Sequence, residues 1–273
     1  MILLAAAAAM LVAAPARPSR RLPPEQDPKL GGAAKAFAKA TVSFAAPEDR
    51  AVLKRDEIEV QLKVAHYALV GGAHAHVIFD NEPALEVDDV EDPIVLKDVP
   101  AGPHVLRAVL CRPWHEVVKA KGAFVMVRFW AGPRFAGRAA ELAERADWPD
   151  PRKPLLTYVF PIGRRTKGAK GFESDATDAT GSNESAPSSP AAGKNPEVST
   201  LDFYVSNTQL GRRASKVRVV LDKAELPLLT SWEPKKLARL KAGEHRITID
   251  LLDSKGQKAA NALNRTDRTF VVK

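Results

Sequence analysis

Five of the six histidines of this 273-residue chain lie between positions 66 and 115: His66, His74, His76, His104 and His115. His74 and His76 are two apart. On an extended strand, residues i and i+2 leave the backbone on one face, so these imidazoles can begin a site for zinc or copper. A third ligand would come from His104 or His115. A His-x-His pair alone matches no zinc spacing, and the plainer alternative is two half-exposed polar residues beside a turn. The region that repeats this stretch later in the chain has no histidine, so the fold does not require the pair.

Residues 112–116 bring together Arg112, Pro113, Trp114, His115 and Glu116. A loop that offers a cation, an aromatic ring, an imidazole and a carboxylate can recognise a protein or glycan partner. The indole could stack on a sugar or on a partner side chain. Arg112, Trp114, His115 and Glu116 are therefore the candidate partner-binding residues. The competing reading is a loop pinned down by Trp114. His115 and Glu116 are adjacent, point apart on an extended chain, and make no ready acid–base pair.

Cys111 is the only cysteine. It can form no intrachain disulfide, and at the end of an alternating strand it reads as a small hydrophobe rather than a nucleophile. Glu86, Asp88, Asp89, Glu91 and Asp92 make an acidic loop. Clustered carboxylates can hold calcium, but the order is not that of an EF-hand, and solvated charge guarding a strand edge is the favoured reading. There is no glycine-rich phosphate loop and no G-x-S-x-G elbow. No catalytic residue is assigned and no cofactor is implied.

The elements that must position these residues are short strands. Ile58, Val60, Leu62 and Val64 alternate with Glu59, Gln61 and Lys63, the period of a half-buried strand. Further strands follow at residues 76–80, 94–96, 104–110 and 123–130, with a turn signal at Ala101-Gly102-Pro103. Residues 133–147 are rich in Ala, Glu, Leu and Arg and predict a short helix. Residues 154–162 form a last apolar segment of this unit. Residues 164–196 are Gly, Ser, Thr, Ala, Asp and Pro with almost no large apolar residue, the composition of a flexible linker.

After that stretch the first pattern returns. Val64 matches Val205, Gly102 matches Gly243, His104 matches His245 and Phe129 matches Phe270, all at a shift of 141, and Asp80 matches Asp222 at 142. A near-constant shift across separated landmarks marks a duplication. His104 and His245 recur at the same turn, so the fold explains them, with the ring bonding a neighbouring loop carbonyl. Each unit has several strands and no crossover helices, so its sheets should be antiparallel. The predicted fold is all-β: two tandem immunoglobulin-like antiparallel β-sandwiches joined by a flexible linker, with a short helix after the first. A small closed barrel is the alternative. The expected divisions are a signal peptide at 1–16, a Pro/Ala-rich linker at 17–55, a first sandwich with helix and terminal strand at 56–162, a basic, Ser-rich linker at 163–197, and a second sandwich at 198–273.

Residues 2–14 are thirteen apolar residues followed by Pro15 and Ala16. That run is too short to span a bilayer, which needs about 20 residues, and it fits the core of a secretory signal, although no Lys or Arg precedes it. No other stretch could span a membrane. The net charge of +8 comes from 41 basic and 33 acidic residues, with Arg164, Arg165, Lys167 and Lys170 grouped in one linker. Such a balance bears on solubility and association rather than fold. No aromatic-interleaved basic stripe appears, which argues against nucleic acid as the partner.

Several segments together resemble an uncharacterised family of bacterial exported or envelope proteins. They are residues 72–81 (GAHAHVIFDN), 112–116 with Gly122-Ala123-Phe124, 154–158 (PLLTY) and 201–204 (LDFY). The resemblance spans roughly residues 56–272 and implies a tandem β-rich architecture, with no activity, substrate or cofactor attached. The expected function is a non-enzymatic exported envelope protein that engages a protein or glycan. The alternatives are a metal-binding or metal-handling module using His74 and His76, and a hydrolase of envelope polymers, for which the chain supplies no paired carboxylates at a defined separation.

Overall fold

The structure is a computed structural model that describes residues 37–163, 200–237 and 240–272, and the backbone of 171–172. The expected signal peptide, the first part of the 17–55 linker and most of the 163–197 linker lie outside the described residues.

The first sandwich packs two sheets. One has the order β1 (Thr41–Ala46), β3 (Ile58–Ala65), β6 (Ile94–Lys97), β10 (Gly171–Phe172); the other runs β2 (Ala51–Leu53), β8 (Phe124–Ala131), β7 (Gly102–Cys111), β4 (His74–Phe79), β5 (Leu85–Val87). All pairs are antiparallel except β2 with β8. Period-two alternation builds β3: Ile58, Val60 and Leu62 are buried while Glu59 and Lys63 face water. These residues join Ala75, Val77, Phe79, Leu106, Ala108, Leu110 and Phe129 in one core.

Residues 17–55, expected to be a linker, instead supply β1 and β2 to the first sandwich. β1 pairs along β3 from Thr41↔Ala65 onward, and Ala40 and Val42 belong to the core. A short strand reading TVSFAA carries too few large apolar residues to stand out by periodicity.

The second sandwich repeats the plan. Its sheets are β14 (Lys235–Lys236), β11 (Thr200–Ser206), β9 (Leu155–Phe160), and β13 (Ala224–Glu225), β12 (Lys216–Leu221), β15 (Gly243–Leu252), β16 (Arg265–Val272). Its core gathers Leu156, Tyr158, Phe203, Val217, Val219, Ile247, Ile249 and Phe270. The duplication extends to detail. A 3-10 turn at Lys121–Ala123 precedes β8, and one at Ala262–Asn264 precedes β16.

Residues 154–162 were expected to close the first unit. Instead β9 pairs with β11, from Leu155↔Ser206 to Asp202↔Phe160, and is to the second sandwich what β1 is to the first. The stretch 163–197 therefore connects two neighbouring strands of one sheet rather than two sandwiches. Between the copies stands the helix α1 (Arg138–Asp147), within the span predicted for it.

His104 and His245 sit at one turn of each copy. His104 engages Asp80 Oδ2 through Nδ1 at 2.9 Å and the Pro100 carbonyl through Nε2 at 2.8 Å. His245 engages Asp222 through Nδ1 at 2.5 Å and the Lys241 carbonyl through Nε2 at 2.8 Å. The other aspartate oxygen accepts the Val105 or the Arg246 amide, each at 2.9 Å. Both rings are thus parts of the fold, bonded to a loop carbonyl as the sequence suggested.

The copies stack sheet on sheet. The outer face of the five-stranded sheet carries Val105, Val109 and Cys111, which meet Leu155, Val159, Phe160 and Tyr204 of the second copy. Lys119 forms a buried ion pair with Asp202, whose carboxylate also accepts the Val117 and Phe203 amides, each at 2.8 Å. Arg107 donates across the seam to the Leu156 carbonyl and the Thr157 hydroxyl at 3.3 and 3.1 Å. This second covering explains why all six residues of β4 are buried. A sheet covered on one side only would alternate between core and solvent.

Candidate functional site

On β4, Ala75 and Val77 point into the first core, so His74 and His76 project from the opposite, outer face. β5 pairs with β4 so that Glu86 lies directly across from His76. The fourth group comes from the loop after β7. A bridge between Cys111 and Val117 closes that loop, with Arg112 N–H donating to the Glu116 carbonyl at 2.8 Å and His115 N–H to the Arg112 carbonyl at 2.9 Å. His115 takes a left-handed φ of +60° in this tight turn, a conformation uncommon outside glycine and associated with functional sites. Its ring comes back over the sheet to the β4 histidines.

The result is one cluster: ligand atoms of His74, His76, Glu86 and His115 all lie within 4.8 Å of one another. His74 Nε2 is 3.0 Å from His76 Nε2 and 3.1 Å from His115 Nδ1. Glu86 Oε1 stands 3.8 Å from His115 Nδ1. His76 is 0% exposed and His74 4%, while the Glu86 side chain is 48% exposed. The cluster is thus enclosed on the histidine side and open at the carboxylate.

Proton positions follow from partners. His74 Nδ1 lies 2.8 Å from the Gly72 carbonyl, which can only accept, so in the neutral ring Nδ1 carries the hydrogen and Nε2 is a bare lone pair. Two other ring nitrogens converge on that one lone pair. His76 Nδ1 is buried without a hydrogen-bond partner in the protein. Unsatisfied buried polar atoms are rare in folded proteins and call for an explanation. Burial, with His74 and His115 alongside, pushes the His76 pKa well below the ordinary imidazole value. Burial and then His74 push His115 down to about 4. Both shifts favour the neutral ring, the form that has a lone pair to donate.

His74 and His76 share a face as expected, and of the two candidates for a third ligand the structure brings in His115 and leaves His104 at its own turn. By sequence alone Glu86 belongs to an acidic loop. Its place opposite His76 follows from the β4–β5 hairpin, and the turn at residues 80–84 was the available signal. The partner-binding set is also rearranged. Arg112 is 1% and Glu116 3% exposed, so both side chains turn into the fold. The Arg112 guanidinium lies between the Phe37 and Trp114 rings, 5.3 and 5.4 Å from their centres. Trp114 Nε1 donates to Glu116 Oε2 at 2.8 Å. The loop is pinned by its own side chains. Cys111 is buried, and burial pushes its thiol pKa well up, the state of an inert cysteine.

No family model matches the sequence, and no curated protein matches it. Several solved structures are similar. The fibronectin(III)-like modules of Clostridium thermocellum CbhA share 10% identity over 85% of this chain and 94% of that one, with a TM-score of 0.25. Bacteroides ovatus SGBP-B, solved with a mixed-linkage heptasaccharide, shares 13% over 85% and 70%, at 0.23. The D00-D0 domain of intimin shares 9% over 85% and 99%, at 0.21. Likeness at this level carries no information about ligand or activity. The immunoglobulin-like class follows from the strand order and packing above. Among the described residues, no helix is long and apolar enough to cross a membrane.

Proposed function

We propose that this chain is a non-enzymatic exported protein of the cell envelope that binds one divalent d-block ion, zinc(II) or copper(II), through His74, His76, His115 and Glu86. The observation that carries the reading is the convergence of three imidazole nitrogens on one point, with His74 oriented by the Gly72 carbonyl. Metal-ligating histidines characteristically donate their other N–H to such a carbonyl. Zinc–nitrogen bonds of ~2.0–2.1 Å in a tetrahedron space the ligand nitrogens by roughly 3.3 Å. The separations of 3.0 and 3.1 Å need only small adjustment. An ion would also occupy the lone pairs that the protein leaves competing. Export is supported by the apolar residues 2–14 and Pro15-Ala16.

Metal analysis of the purified full chain after zinc or copper loading tests the reading. One ion per chain is expected, and its loss in the His74→Ala/His76→Ala variant. Loading that is absent, or unchanged in the variant, overturns it.

A second reading keeps the protein or glycan partner at the loop of residues 112–116, now confined to exposed Pro113 and partly exposed Trp114 and His115. Pull-down with Trp114→Ala tests it: capture equal to that of the parent protein removes the loop from consideration.

A further inference from the structure

Every ligand of the cluster belongs to the first sandwich, yet the enclosure of the cluster does not. His74 and His76 stand on the outer face of a sheet whose inner face already packs a core. In a lone sandwich that outer face would meet solvent. Here it is covered by β9 and β11 of the second copy. His115 shows the coupling most directly. Its ring lies flat on that of Phe160 in β9, with centroids 4.7 Å apart and planes at 7°. Phe160 continues into a wall of Val109, Cys111, Val117, Val159 and Tyr204. His115 is the one ligand carried on a turn, at left-handed φ, rather than on a strand. Its ring therefore depends on contacts beyond its own backbone for its orientation.

The second copy has no use for the site on its own account. At the corresponding positions it carries Lys216 and Arg218 for His74 and His76, at a shift of 142, and Gly256 for His115, at 141. Duplication has thus left one copy with the ligands and the other with the cover.

We infer that docking of the second sandwich completes the metal site, with Phe160 as a positioning residue for His115, so that metal binding and the seam between the sandwiches are linked. This rests on the metal reading above. Linkage is reciprocal: whatever docking adds to metal affinity, the bound metal adds to docking. A metal-bound imidazole is also more electron-poor, which favours its contact with the phenyl face.

Two measurements on the full chain test the inference. Zinc is titrated calorimetrically into the parent protein, Phe160→Leu, which keeps apolar bulk without a ring, and Phe160→Tyr, which keeps the ring. Phe160→Leu should bind one zinc about tenfold more weakly, within the usual range of coupling, and Phe160→Tyr should bind within about twofold of the parent. Equal affinity in the parent and Phe160→Leu overturns the inference and leaves the metal reading intact. Absence of zinc binding in the parent overturns the inference, and absence of copper binding as well overturns the metal reading. Should Phe160→Leu fail to fold, amide exchange in the parent decides. Zinc should slow exchange in β9 and β11, where no ligand lies, and unchanged exchange there overturns the inference even where zinc binds.

Discussion

His104 and His245 each hold an aspartate and a loop carbonyl at the same turn of the two copies, while His74, His76 and His115 face one another. The two groups should respond differently to pH. Burial lowers the His104 pKa, but the hydrogen bond and charge of Asp80 outweigh it, and the net shift is upward. The Lys241 carbonyl and then Asp222 raise that of His245. A group with a raised folded pKa contributes its stability in full below the unfolded value, about 6.5 for histidine. It loses that contribution as pH rises through the folded value. Asp80→Asn keeps an acceptor for the Val105 amide and removes the charge. It should lower stability by about 1–2 kcal/mol near pH 6, and by less toward about pH 8.5, as pH rises through the raised folded value of His104. Chelator-treated protein melted across that interval provides the check. Identical pH slopes in parent and variant would show that the pair does not titrate as described. A repeated histidine was legible from sequence as structural because recurrence itself was the signal. Glu86 was not, because its role depends on the strand opposite.

At the scale of elements, composition located α1, and alternation located β3 and β7, a pattern that the shift of 141 carried into the second copy. It missed β1, and it left β9 with the wrong sandwich. β9 is buried on both faces, one by its own core and one by the seam, so all six of its residues are enclosed and no alternation remains to read. That β1 begins the first sandwich can be tested at Gly122. A Cβ there would lie 2.6 Å from the Ala40 carbonyl oxygen and 2.8 Å from Thr41 Cγ2. Gly122→Ala should therefore push β1 away and cost about 1–3 kcal/mol, as overpacking does. Amides of β1 should exchange faster in the variant. Unchanged protection would mean that β1 does not pack against this turn.

At the scale of the whole molecule, the two copies share a seam with a buried charge pair. Removing one member strands the other. Lys119→Met leaves the Asp202 carboxylate buried without its cation and should cost about 3–5 kcal/mol. If the seam makes the copies unfold together, the same variant should split a single calorimetric transition into two. A single transition with little change in midpoint would show that the ion pair does not hold the copies together.

The sequence by itself determined the strand class, the duplication, the separation of His104 from His74 and His76, and the shared face of that pair. Each follows from local periodicity or from comparing the chain with itself. Only the tertiary structure decided which sheet covers which, and with it the burial of β4, the allegiance of β9, the inward turn of Arg112 and Glu116, and the meeting of Glu86 and His115 with the β4 histidines. These depend on desolvation and shape fit between surfaces far apart in the chain, which leave no period in the sequence of either.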